Sequence, residues 1–104
     1  MMPTLDDVRL YLGIDVTDDP VINANAARCL ATATQILHGA VGADVDTYLP
    51  SDYRVHELVL IYAEDLYSQR GMAAKVSGAT RRLVADMVLQ LQTELQAARE
   101  AAAV

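Results

Sequence analysis

His38, His56 and Cys29 are the side chains best suited to proton transfer or nucleophilic attack, and their surroundings decide what they can do. A thiol nucleophile needs a histidine brought to it by the fold. Cys29 falls instead in an apolar helical stripe and is expected in the core. Neither histidine has a His, Cys or paired carboxylate at i+3 or i+4, the spacing that lets one helix face hold zinc. His56 and Glu57 are adjacent, so on a helix they point apart. His38 ends a helical stretch, where a histidine is expected to meet the free carbonyls of the last turn.

Two further segments invite a ligand and fall short. "DVTDD" (15–19) spaces its acids as a calcium loop does but lacks the glycine and closing glutamate; helix capping explains it better. "GMAAKVSG" (71–78) has no Gly-Lys-Ser order and is no phosphate loop. The expectation is a chain that is not an enzyme, with no catalytic, metal or cofactor residues.

What remains is charge. Residues 1–65 hold eleven acids against three arginines, whereas residues 66–104 hold three acids against five bases, within a net charge of -6. Arg70, Lys75, Arg81 and Arg82 cluster around two glycines in "LYSQRGMAAKVSGATRR" (66–82), without an acid. Three roles stay open for them: a solvated connector, docking on an acidic face of a partner or neighbouring copy, or non-specific contact with DNA phosphates. No aromatic lies within 70–82, so base stacking is not expected there.

These residues are positioned by helices. In 104 residues there is room for one small core, and hydrophobic side chains make up 53 % with no Phe or Trp. Thr4 with Asp7 forms a capping box for a first helix over 5–12, stopped by Gly13. Asp19-Pro20 starts a second over 20–38, with Ile22, Ala26, Cys29, Ala33, Ile36 and Leu37 inward, Gly39 as its stop, and a first turn frayed by Asn23 and Asn25. Residues 39–52 read as a loop. A third helix, 52–70, is apolar nearly all round and should lie centrally, covered on several faces. A flexible basic loop, 71–79, leads to a long fourth helix over 80–101, part of which is expected to overhang. The fold class is all-α, a four-helix domain. No apolar run approaches the length of a membrane span, and the acidic N-terminus is not that of a signal peptide.

The order of these features resembles the small head–tail connector (adaptor) proteins of long-tailed bacteriophages. "TLDDVRLYLGID", the acidic turn "DVTDDPVI" before an Ala-rich helix, and "VHELVLIYAEDLYSQRG" with its Leu-Tyr-x-x-Arg ending carry the likeness, with Leu12, Leu66 and Tyr67 as motif residues packed in the core. The resemblance implies a virion protein at the head–tail junction, assembled in the host cytoplasm as a ring of nominally twelve copies. Such a ring sits below the portal protein, extends the DNA channel, and offers a platform to a stopper or tail-completion protein. It further implies docking on portal or neighbour through the C-terminal segment, here Leu91, Leu95, Ala98, Arg99 and Val104. From the residues alone, an over-apolar helix and a polarised charge fit such a cyclic, head-to-tail assembly. The alternative is a small helical DNA-binding or regulatory module reading with "TRRLVADMVLQLQ", against which the pI near 4.6 counts.

Overall fold

A computed structural model describes residues 2–14, 19–68 and 78–103. Among them the chain forms α1 (Leu5–Leu12), α2 (Pro20–Val41), α3 (Val45–Tyr48), α4 (Tyr53–Ser68) and α5 (Gly78–Ala102), with no strand. The all-α expectation holds, with one helix more than the four expected.

The helix ends follow the local chemistry. Thr4 Oγ1 accepts from the Asp7 N–H at 3.2 Å, and the Asp7 carboxylate accepts from the Thr4 N–H at 2.9 Å, which closes the capping box. At the other end Gly13 turns left-handed (φ 73°), so that the Ile14 and Gly13 N–H groups reach back to the Arg9 and Leu10 carbonyls. Asp19 caps α2 through the Val21 N–H at 2.9 Å, with Pro20 in the first turn. Asp52 caps α4 by accepting from the Arg54 N–H at 2.9 Å.

Several boundaries differ from expectation. α2 passes through Gly39 and stops at Gly42, whose backbone (φ 144°) excludes a side chain. Nothing crowds Gly39, and one interior glycine costs a helix only about 1 kcal/mol against alanine. Its first turn is regular, because Asn23 Oδ1 accepts from Arg9 Nη1 at 2.9 Å and ties α2 to α1. The expected loop 39–52 contains α3, one turn that buries Val45. α5 begins at Gly78, so the last two residues of the expected loop 71–79 are helical and the rest lie outside the described residues.

α2 and α4 form the most extensive helix pair; α1 packs on both, and α5 closes the core against α2, α3 and α4. Ala26, Cys29 and Ala33 line the inner face of α2, and such small side chains let α4 approach closely. Across from them stand Val55, Leu58, Val59, Leu60 and Ala63 of α4. Ile36, expected inside, is 40 % exposed. α4 is central as expected, yet Tyr53, Glu57 and Glu64 leave it one exposed outer stripe. α5 spans about 37 Å at helical rise.

Candidate functional site

The polar side chains that tie the helices together lie around the core, not in it. His38, near the end of α2, pairs through Nε2 with Asp46 Oδ2 of α3 at 2.8 Å, rather than with helix-end carbonyls. His56 of α4 directs Nε2 towards the Asp7 carboxylate of α1 at 3.5 Å. Arg54 is a hub: its Nε and Nη2 donate to both oxygens of Asp52 (2.9 and 2.6 Å), Nη1 donates to Gln90 Oε1 at 3.2 Å, and Nη2 pairs with Glu94. Arg99 donates from Nε and Nη2 to the two oxygens of Asp44 at 2.6 and 2.5 Å. Gln92 donates to the Ala40 carbonyl at 2.6 Å, so the C-terminal half of α5 is fastened at several points.

These contacts set the protonation of the groups involved. Hydrogen bonds from Arg99 and Arg54 hold the Asp44 and Asp52 carboxyls below the ordinary value, and the Thr4 N–H does the same for Asp7. Burial, with Glu64 and Glu57 nearby, pushes the Tyr11 hydroxyl up, and burial alone raises Tyr62. No group of three or more metal-ligating side chains occurs among the described residues. No helix among them is long and apolar enough to cross a membrane.

The expected site residues separate into three groups. Arg70, Lys75 and Val104 lie outside the described residues. Arg81 and Arg82 are exposed at the start of α5, with Arg81 on a groove of about 200 Å³ formed with Ile61, Tyr62, Asp65 and Val84. Neither makes an ion pair among the described residues. Leu91 and Leu95, expected to dock on a partner, are instead fully buried against the chain's own core. Ala98 and Arg99 are half-buried, and Arg99 is engaged by Asp44. The overhang expected beyond Leu91 is therefore replaced by an anchored segment, and the exposed apolar residues of α5 lie earlier, at Leu83 (54 %) and Leu89 (62 %). Leu12, Leu66 and Tyr67 pack, half-buried, against the core.

An acidic surface escaped the sequence reading. Glu57 and Glu64 sit two turns apart on the outer stripe of α4. Tyr11 of α1 lies near both glutamates, and its neighbour Leu10 is 82 % exposed. The seven-residue spacing of the two glutamates was a visible signal; the arrival of α1 beside them was not. Compared with models of protein families, with curated proteins and with solved structures, the chain matches none.

Proposed function

We propose that the chain is a structural protein of a long-tailed bacteriophage virion, a head–tail connector that assembles as a ring on the portal and receives the next component of the tail. The ordered motifs "TLDDVRLYLGID" and "LYSQR" support the reading, in a small all-α chain. The observation that carries it furthest is the division of exposed surface. α4 and α1 offer carboxylates beside apolar side chains, while the first turns of α5 offer exposed arginines, without an ion pair among the described residues, and exposed leucines. A protein built to be gripped on two sides has that arrangement. The basic turns also suit the wall of a DNA channel, where phosphate contact is non-specific.

Light scattering of the purified chain mixed with the portal encoded in the same genome tests the reading. The expected result is a stoichiometric complex of ring size; no complex at any ratio removes the proposal.

The exposed Arg81 and Arg82 near the start of a long helix favour a second reading, a small DNA-binding module. Retention of one duplex sequence over others at physiological salt would select it over the connector.

A further inference from the structure

Two exposed surfaces among the described residues carry opposite charge. The first is acidic: Glu57 and Glu64 on the outer stripe of α4, with Tyr11 and Leu10 of α1 alongside. Asp6 and Asp7 of α1 are already answered by Arg9 and His56, and Glu57 approaches His56 Nδ1 only at 3.9 Å, so the two exposed glutamates carry the outward charge of the seam. The second surface is basic: Arg82 and Leu89 on one outward stripe of α5, with Arg81 on the flank towards α4. Arg82 and Leu89 are seven residues apart, two turns on one stripe, the same spacing that separates Glu57 from Glu64.

We infer that the occupant of the basic α5 surface is the acidic α1–α4 surface of a second copy of this chain. Arg81 and Arg82 meet Glu57 and Glu64, while Leu89 covers Leu10 and Tyr11. Charge complementarity fixes the choice: a chain of net charge -6 repels its copies over most of its area, and this pairing brings a basic patch to an acidic one. A leucine left 62 % exposed on one side and a leucine left 82 % exposed on the other supply apolar area. Because the two surfaces differ, the contact is head-to-tail, and each added copy presents a fresh surface to the next. The inference rests on the connector reading in the sense that it names the copy-to-copy contact of that ring.

Sedimentation velocity at millimolar chain and low salt tests it, with helix content checked by circular dichroism. Two double variants are made, R81E/R82E, acidic on both surfaces, and E57K/E64K, basic on both. Each is expected to weaken self-association at least about tenfold, and a mixture of the two to associate where neither does alone. Wild type should form species larger than a dimer, and these should dissociate as salt rises. A monomeric wild type, a largest species of two copies, or a mixture that fails to associate overturns the inference. So does an R81E/R82E variant that loses DNA retention but keeps self-association. Portal binding is scored separately: a portal complex insensitive to these reversals leaves the connector reading standing, and salt-sensitive association without portal binding does the opposite.

Discussion

Arg99 grips both carboxylate oxygens of Asp44 across a glycine, Gly42, that leaves the space for it. A Cβ on Gly42 would stand 2.6 Å from Arg99 Nη2 and 2.7 Å from Leu95 Cδ2, on a backbone at φ 144° that other residues rarely adopt. Gly42→Ala should therefore lose about 2–3 kcal/mol, from strain and displaced side chains together. Gly13→Ala, with left-handed backbone but nothing within 4 Å, should lose only about 1 kcal/mol. Urea titrations of the two variants check the difference; equal losses would mean that the close approach costs nothing.

Acid should loosen the same fastenings. Asp7, Asp44 and Asp52 all titrate below the ordinary 3.8, so each stabilises the fold above that value. That contribution is lost as pH falls through the depressed folded values. The melting temperature should hold between pH 7 and about 4 and then drop. Asp52→Asn keeps the cap of α4 but removes the charge beside Arg54. Its deficit against wild type should be full at pH 7 and close below pH 3.8, as followed by circular dichroism.

Leu91 and Leu95 belong to the core, and the truncation test separates them from Leu89 on the same helix. Leu91→Ala and Leu95→Ala should each lose about 2–5 kcal/mol of folding stability. Leu89→Ala, at a position 62 % exposed, should stay within about 0.5 kcal/mol. A thermal shift for Leu89→Ala as large as that for Leu91→Ala would contradict this division of α5.

Neutralising the basic segment addresses function without touching the core. Arg70, Lys75, Arg81 and Arg82 changed together to Gln should keep helix content and melting temperature. Particle assembly or DNA retention should fall severalfold, by loss of counterion release or of the copy-to-copy contact. Particles that form and hold DNA as before would make the segment a solvated connector.

Much of the helical layout was legible because its signals are local. Thr4 with Asp7, Asp19 before Pro20, and Gly13 each satisfy or end a helix within a few residues of themselves. Gly39 misled for the converse reason: as a sequence it is as good a stop as Gly42, and only the approach of Arg99 and Leu95, over fifty residues on, distinguishes them. α3 escaped because one turn amid glycines and aspartates has no period to read, and burial of Val45 holds it. On the surface the arginines of α5 were visible as a cluster in sequence. Glu57, Glu64 and Tyr11 become one patch only when α1 lies along α4.

Among the described residues the core contains no buried polar or charged side chain and no aromatic. A core made almost wholly of Val, Leu and Ala is greasy and nearly smooth, so many sliding registers of its helices would bury similar area. What distinguishes the right register is a set of latches outside it: Arg9 on Asn23, His38 on Asp46, Arg54 on Glu94 and Arg99 on Asp44. Each joins a different pair of helices, like stitches around the edge of a seam. Cutting them should leave a chain that is still collapsed and helical but no longer unique, with broadened side-chain NMR signals in place of a cooperative melt.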